Sequence, residues 1–197
     1  MTGCALGIDT SNYRTSCALL NLSDGSFQNI GELLAVPSGS LGLRQSDALF
    51  QHTRKLPELM ERLCGGLHGP IAAVGVSDRP RRQADSYMPC FLAGVSAACS
   101  AAAVLGVKPA FFSHQEGHIA SALYSADRLC WLRGPFLSWH LSGGTTELLL
   151  VRSAERGVMT VEIIGGTKDL AAGQIIDRAG VALGLPFPSG PHLEELA

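Results

Sequence analysis

The chain has 197 residues, which is enough to bury the core of one large domain or of two small ones. Hydrophobic residues make up 46% and charged residues only 16%, a balance that is typical of α/β proteins with a buried sheet and that excludes disordered chains and coiled coils. The net charge is −2, and the sequence shows no obvious basic face. A role in gripping nucleic acid would therefore need a partner that supplies positive charge.

The cysteines and the apolar stretches bear on the cell compartment. The cysteines form no C-x-x-C pair and several lie in apolar runs, so we expect reduced, mostly buried thiols. Asp9 interrupts the first apolar run and no basic region precedes it, which argues against a signal peptide. The longest apolar stretch, Phe91–Val107, is too short and too rich in small residues to span a membrane. These features predict a soluble cytoplasmic protein. The cysteines are Cys4, Cys17, Cys64, Cys90, Cys99 and Cys130.

The chain opens with a pattern typical of an antiparallel meander. In chain order we predict a buried strand from Cys4 to Asp9, a polar turn from Thr10 to Arg14, a strand from Thr15 to Leu22, a hairpin turn from Ser23 to Ser26 and a strand from Phe27 to Val36.

Helices and strands then alternate, which predicts α/β architecture. Apolar residues at helical spacing indicate the helices, and β-branched or aromatic runs indicate the strands. In chain order these elements are a helix from Leu43 to Leu67, a strand from Ile71 to Val76, a helix from Phe91 to Leu105 stopped by Gly106, a strand from Ala110 to Ser113 and a helix that opens at His114.

The meander pattern returns about 130 residues later. It consists of a strand from Phe136 to Leu141, a polar turn from Ser142 to Thr145, a strand from Thr146 to Arg152, a turn from Ala154 to Gly157 and a strand from Val158 to Ile164, followed by a helix from Asp169 to Leu183. The repeat predicts a duplicated fold with two related lobes. We expect a nucleotide in the cleft between such lobes, with both first turns facing its phosphates.

The polar turns are the predicted phosphate-binding elements. Ser142, Gly143, Gly144 and Thr145 could present N–H groups and hydroxyls to phosphate oxygens, with glycines that allow close approach and positive φ. The alternative is an ordinary glycine-rich hairpin turn. Asp9, at the end of the first strand, either closes a turn or faces a metal-bound phosphate.

Two further aspartates flank or lie within the last predicted helix. Asp169 is expected to cap that helix rather than to act in catalysis. Asp177 lies eight residues on and could bond a ribose hydroxyl, or could pair with Arg178 or Lys168.

His114 and His118 are four residues apart and share one helix face, which is a frequent arrangement for metal binding. The alternative is a pair of surface or capping histidines. A metalloprotease would need H-E-x-x-H, but Gln115 follows the first histidine and Glu116 stands one place further on. Because each residue of a helix is rotated by about 100° from the one before it, Glu116 is turned away from the histidine face. Zinc or iron needs at least one more ligand, and none is evident in the sequence. No residue is assigned a catalytic role.

The segment Ser77–Gln83 is the only basic cluster in the sequence. We expect a solvated loop there, although its place after a parallel strand also allows a phosphate-binding role.

Taken together, these residues resemble the TsaD family, whose members make the threonylcarbamoyl modification of a tRNA adenosine and were formerly called O-sialoglycoprotein endopeptidases or glycoproteases. The resemblance runs over the whole chain and is strongest from residue 111 onward. It is carried by SHQEGHIASAL (113–123), HLSGGTTELL (140–149), GGTKDLAAGQIIDRAGVALGLPFPSGPHLE (165–194) and, at the opening, LGIDTSNYRTSCAL (6–19).

The resemblance implies an actin/Hsp70-like ATPase fold, with an N-terminal lobe over residues 1–133 and an incomplete second lobe over 134–197. It implies a divalent metal, iron or zinc, on His114 and His118. It also implies contacts to ATP or an acyl-adenylate, with Mg²⁺ as a further cofactor, from residues 142–145, Asp177 and Gly190. The reaction would transfer a threonylcarbamoyl group to a tRNA adenosine, with tRNA bound only through protein partners of the modification machinery. A homodimer is left open.

Three departures from the family pattern accompany the resemblance. Asn12-Tyr13-Arg14-Thr15 replaces an acidic Cys-Asp-Glu-Thr, and SDRPRRQADSYMPCF (77–91) replaces a Gly-Pro-Gly loop. Family members also continue well past residue 197, where their third metal ligand and adenosine-binding residues lie, so we expect a divergent, truncated member that binds nucleotide poorly. The alternative is a non-catalytic paralogue that binds a partner or a nucleotide, and the metalloprotease interpretation is disfavoured.

Overall fold

The structure, a computed structural model, describes residues 3–11, 13–36, 43–66, 69–83, 85–155 and 157–197. Four residues named in the predictions, Asn12, Leu67, Ala84 and Arg156, lie outside these ranges. The chain divides into two compact units, Met1–His118 and Ile119–Ala197, and the first unit includes both candidate metal ligands. The predicted lobe boundary at 133/134 stays a prediction.

A five-stranded mixed sheet forms the centre of the first unit, with strand order β3-β2-β1-β4-β5. The meander pairs antiparallel, while β4 pairs with β1 and β5 pairs with β4 in parallel. The strands are β1 (Cys4–Asp9), β2 (Arg14–Asn21), β3 (Phe27–Leu33), β4 (Ile71–Arg79) and β5 (Pro109–Ser113). All five predicted strands are confirmed in kind. The predicted end at Val36 is wrong, since β3 ends at Leu33, and β4 extends past Val76 to Arg79.

Two helices cover this sheet, α1 (Gln45–Cys64) and α2 (Phe91–Leu105), and they pack against each other. α1 buries Leu56, Leu59 and Leu63 at helical spacing, as the sequence pattern predicts. α2 ends as predicted, because Gly106 takes a left-handed φ of 69° that allows a backbone C-cap. The buried side chains of the sheet and both helices form one continuous core.

The cysteines of this unit contribute to packing. Cys4, Cys17 and Cys90 are buried, and all six cysteines of the chain, each within the described ranges, are free thiols. Burial, reinforced by the neighbouring Cys64, raises the pKa of the Cys17 thiol to about 11 despite the opposing effect of Arg62. Cys17 therefore stays protonated at neutral pH and behaves as a small apolar residue.

The second meander forms a three-stranded antiparallel sheet of order β6-β7-β8. The strands are β6 (Phe136–Leu141), β7 (Thr146–Ser153) and β8 (Met159–Gly166). The helix α3 (His114–Ser125) and a 3-10 helix (Leu129–Arg133) precede them, and α4 (Ala172–Ala182) and α5 (Gly190–Leu196) follow. The repeated meander is confirmed, whereas the 3-10 helix and α5 were not predicted.

One face of β6 is apolar and exposed. Leu137, Trp139 and Leu141 alternate along the strand and are 57%, 63% and 57% exposed. In β1, the corresponding first strand of the other meander, the alternate residues Cys4, Leu6 and Ile8 are buried. The same alternation thus gives different burial, because α1 and α2 pack on that face of β1, whereas the buried residues Leu149 and Val151 of the second sheet lie on the face opposite to Leu137, Trp139 and Leu141.

No helix within the described ranges is long and apolar enough to cross a bilayer.

Candidate functional site

The first candidate site lies at one edge of the five-stranded sheet. β1, β4 and β5 run parallel, so their carboxyl ends meet at the same edge, where sites of α/β proteins usually form. β1 ends there with Asp9, β5 ends with Ser113, and α3 begins directly afterwards with His114. The fold therefore joins Asp9 and His114, which are 105 residues apart in the chain.

Asp9, His114 and His118 form a chain of short contacts. Nδ1 of His114 lies 2.8 Å from Oδ2 of Asp9, and Nε2 of His114 lies 2.8 Å from Nε2 of His118. An ionised carboxylate only accepts hydrogen bonds, so Nδ1 of His114 carries a proton, and with neutral rings Nε2 of His118 donates to Nε2 of His114. The two Nε2 atoms thus face each other at hydrogen-bond distance, which brings two potential metal-ligand atoms together.

The carboxylate of Asp9 is ionised. Burial raises its pKa, but the hydrogen bond from His114, with hydrogen bonds from Ser77 and Ser11, outweighs burial and holds the pKa well below its usual range. The backbone N–H of Ser11 donates to Oδ1 at 2.9 Å. Asp9 thus closes its turn, which was one of the two predicted alternatives; a contact to a metal-bound phosphate stays a prediction.

These residues fit a metal ion in their donor chemistry. Histidine ligands usually donate their second ring N–H to a carboxylate, which fixes the tautomer and raises ligand basicity, and Asp9 provides that carboxylate for His114. Neutral imidazole nitrogens suit zinc and iron. Within the described part of the chain, His, Cys, Asp and Glu side chains form no group of three that could hold a metal. At this site the described residues therefore offer two nitrogen ligands and one positioning carboxylate.

Glu116 belongs to the start of α3. The N–H of Ser113 donates to Oε2 of Glu116 at 2.6 Å, and the N–H of Glu116 donates to Oγ of Ser113 at 3.2 Å. This reciprocal pair is a capping box, in which an N-cap serine and a glutamate three residues later satisfy each other's free N–H groups. The S-x-x-E pattern of residues 113–116 could have revealed it in the sequence. The side chain is 4% exposed, in keeping with the prediction that Glu116 faces away from the histidines.

The two threonines at the ends of the first polar turn are buried. Thr10 is fully buried; its Oγ1 donates to the carbonyl of Cys90 at 3.1 Å and accepts from the N–H of Gly94 at 3.2 Å. Thr15, at the far end of the turn, is also buried and bonds Nδ1 of His52 at 2.8 Å. The hydroxyl of Thr10 thus joins the end of β1 to the start of α2, and the expectation that this turn faces phosphates stays a prediction.

A second candidate site lies in the second unit, where the turn after β6 contacts the start of α4. The N–H of Ala172 donates to Oγ1 of Thr146 at 2.7 Å, and the N–H of Gly173 donates to the carbonyl of Ser142 at 3.2 Å. The turn therefore caps the helix, whose first N–H groups need acceptors from outside. Since α4 begins at Ala172, the prediction that Asp169 caps it is wrong.

The glycines of this turn are not required by the fold. Gly143 and Gly144 do not adopt the positive φ that the sequence analysis allowed for, and a Cβ atom added at either would meet no described atom within 4 Å. Gly173 differs, since its Cβ would lie 2.8 Å from backbone atoms of Ser142 and Gly143. The bare surface at Gly143 and Gly144 is consistent with close approach of a ligand to the backbone.

Asp177 and Gly190 lie beside the turn that precedes α5. Oδ1 of Asp177 accepts from the N–H of Ser189 at 2.8 Å, and Oγ of Ser189 donates to the carbonyl of Pro186 at 3.0 Å. Asp177 thus has a partner that was not predicted, and it fixes the backbone immediately before Gly190, the first residue of α5. Their ligand contacts stay predictions.

The basic segment is largely occupied by ion pairs. Arg79 ends β4 and pairs bidentately with Asp78, at 3.1 and 2.9 Å. Arg82 pairs with Glu116 at 2.9 Å. Both arginine side chains stay exposed, in keeping with the expected solvated segment, and a phosphate-binding role for the segment stays a prediction.

Comparison with known proteins gives a consistent result. The family model TsaD, described as tRNA N6-adenosine threonylcarbamoyltransferase, matches residues 87–197. The tRNA N6-adenosine threonylcarbamoyltransferase of Polaromonas naphthalenivorans is 34% identical over 197 residues, covering 100% of this chain and 50% of that protein. That of Geobacillus thermodenitrificans is 32% identical over 197 residues, covering 98% of this chain and 54% of that protein. The chain thus spans about half the length of the curated relatives that it matches.

Solved structures show a likeness in fold. YeaZ from Pseudomonas aeruginosa superposes with a TM-score of 0.50 at 14% identity, covering 88% of this chain and 68% of that chain. This likeness concerns the fold alone, and the predicted actin/Hsp70-like α/β class is confirmed.

Proposed function

The chain belongs to the TsaD family of tRNA N6-adenosine threonylcarbamoyltransferases, and on that premise we propose that it takes part in transferring a threonylcarbamoyl group from its adenylate to the amino group of a tRNA adenosine. The observation that carries the proposal is the triad Asp9–His114–His118, in which the two Nε2 atoms meet at 2.8 Å. This arrangement suits ligand binding better than a pair of independent surface histidines.

In the proposed role, His114 and His118 hold a divalent metal, zinc or iron, through their Nε2 atoms. When bound, the ion supplies a positive charge that orients and polarises the acyl-adenylate. Asp9 keeps the proton of His114 on Nδ1 and so leaves Nε2 available as a ligand. The hydrogen bond from His114, with those from Ser77 and Ser11, keeps Asp9 ionised, and the chain's own residues thus prepare the site before any ligand arrives.

The nucleotide part of the proposal assigns the turn 142–145 to ATP or the acyl-adenylate, with Mg²⁺ accompanying a triphosphate. Asp177 and Gly190 are proposed as further contacts to the nucleotide. The support is that neither a positive φ nor close packing requires glycine at Gly143 and Gly144, so that the absence of side chains leaves their backbone open to a ligand. Backbone N–H groups in such a turn can bind phosphate oxygens.

Substitution of Gly143 by alanine should separate ligand binding from folding. We expect an unchanged melting temperature, because the added Cβ meets no described atom, and about 10-fold weaker binding of a non-hydrolysable ATP analogue, since a methyl group blocks close approach. Amide shifts of residues 142–146 during titration with the analogue measure the affinity. Gly134→Ala, another position with open space around its Cβ, serves as the control. Equal affinity of the parent and Gly143→Ala would remove the turn from the nucleotide site.

Net charge and cysteine content support the proposed partners and cell compartment. The net charge of −2 supports tRNA binding through protein partners rather than by this chain alone. The six free thiols suit the reducing conditions of the cytoplasm, which is the proposed location.

A second candidate function is that of a non-catalytic paralogue that binds a partner or a nucleotide. It is favoured by Thr10, whose buried hydroxyl is committed to Cys90 and Gly94. A metalloprotease is disfavoured, since the carboxylate of Glu116 bonds Ser113 in the helix cap and Arg82, and is not directed to the histidine pair.

Nucleoside mass spectrometry of tRNA tests the proposed function. Deleting the gene should lower threonylcarbamoyladenosine, and the parent gene should restore it whereas a His114→Ala gene should not. Unchanged threonylcarbamoyladenosine after deletion would leave the binding role as the better account.

A further inference from the structure

Residues 80–82 bond β5 and the start of α3 by three contacts. Nε of Arg82 donates to Oε2 of Glu116 at 2.9 Å, and Nη2 of Arg82 donates to the carbonyl of Phe111. The carbonyl of Pro80 accepts from the N–H of Gln115 at 3.0 Å. One short loop segment thus bonds both the end of β5 and the first turn of α3.

Arg82 supplies the positive charge for a carboxylate that the fold has buried. The side chain of Glu116 is only 4% exposed, whereas that of Arg82 is 43% exposed. A buried carboxylate is costly without a partner of opposite charge, so the capping box depends on an arginine outside the helix. The guanidinium can donate to two acceptors at once, and here it joins the Glu116 carboxylate to the Phe111 carbonyl.

The same helical turn carries the histidine pair. His114 follows the N-cap Ser113 directly, and His118 lies one turn further along α3. A small rotation or fraying of this turn would move the two Nε2 atoms apart, because their separation of 2.8 Å depends on both residues being helical. Sites of this kind tolerate displacements of only about 0.5 Å.

We propose that Arg82 is a positioning residue, which fixes the first turn of α3 through Glu116 and Phe111 and thereby sets the direction in which His114 and His118 present their Nε2 atoms. The inference rests on the proposed function, since it assigns Arg82 a role at the proposed metal site. The contacts of Arg82 with Glu116 and Phe111 can themselves be tested without a metal.

The experiment compares the parent chain with Arg82→Ala, Arg82→Lys and, as a matched charge control, Arg54→Ala, which removes an exposed arginine of α1 that lies over Phe50. Hydrogen exchange reports on the amides of residues 113–118, and long-range ¹H–¹⁵N spectra report on the tautomers of the two histidine rings. We expect Arg82→Ala to speed exchange of these amides about 10-fold and to abolish the distinct ring signals. Arg82→Lys should give exchange rates between those of the parent and Arg82→Ala, since lysine keeps the positive charge but cannot donate to two acceptors in the fixed geometry of a guanidinium.

Two results would overturn the inference. One is exchange and ring signals in Arg82→Ala that match Arg54→Ala; the other is faster exchange spread evenly over residues 1–118, which indicates a general loss of stability. A Co²⁺ titration runs in parallel, with about 10-fold weaker binding expected for Arg82→Ala. Failure of the parent to bind Co²⁺ would remove the metal from the proposed function, whereas the ring signals of the metal-free chain would still decide the role of Arg82.

Discussion

Replacing His114 with alanine should weaken Co²⁺ binding by more than about 100-fold, since loss of a partner residue behind a ligand already costs 10–100-fold and here one of the two candidate ligands is lost. Asp9→Asn, which keeps the shape of the side chain but removes its charge, should fall within that 10–100-fold range. The reason is that Asp9 fixes the proton of His114 on Nδ1, at 2.8 Å, so that Nε2 can bind the ion. Visible absorption of bound Co²⁺ during titration measures both affinities.

The control for this series is His192→Ala, which removes a histidine from α5. Its affinity should equal that of the parent. Equal Co²⁺ affinity for the parent and for His114→Ala would show that the pair is not a metal site, and the contact of 2.8 Å between the rings would then be only a hydrogen bond.

Gly173→Ala should destabilise the second unit by about 1–3 kcal/mol or more, the usual cost of forcing extra atoms into a packed position. Helix propensity alone predicts the opposite sign, because alanine favours a helix by up to about 1 kcal/mol over glycine. Packing should win, since the Cβ would lie 2.8 Å from the backbone of Ser142 and Gly143, which can move only by breaking the cap on α4. A fall of several degrees in melting temperature, followed by circular dichroism, is the expected result.

The matched control lies on the other side of the same contact. Gly143→Ala adds the same methyl group where it meets no described atom, so its melting temperature should stay at the parent value. A Gly173→Ala protein as stable as the parent would show that α4 does not need to approach the turn so closely.

The candidate site was only partly predictable from the sequence. Helical spacing placed His114 and His118 on one face, and the resemblance named them as ligands. The S-x-x-E pattern at Ser113 and Glu116 is a local signal of the helix cap. The bond between Asp9 and His114 could not be read from local pattern, because Asp9 ends β1 and His114 follows β5, and these two strands are brought together only by parallel pairing with β4, which lies between them. The same holds for the contact of Arg82 with Glu116.

The sequence by itself determined the order and kind of most elements, since hydrophobic periodicity and turn residues are local properties of the chain. It thus specified both meanders, α2 with its glycine stop and the helix that opens at His114. Tertiary structure decided burial and partnership. It buried alternate residues of β1 but exposed those of β6, capped α4 with Thr146 in place of Asp169, and committed Thr10 to α2. The physical reason is that burial and hydrogen-bond partners depend on which segments meet in space, and an N–H at a helix start donates to whichever acceptor the fold brings near.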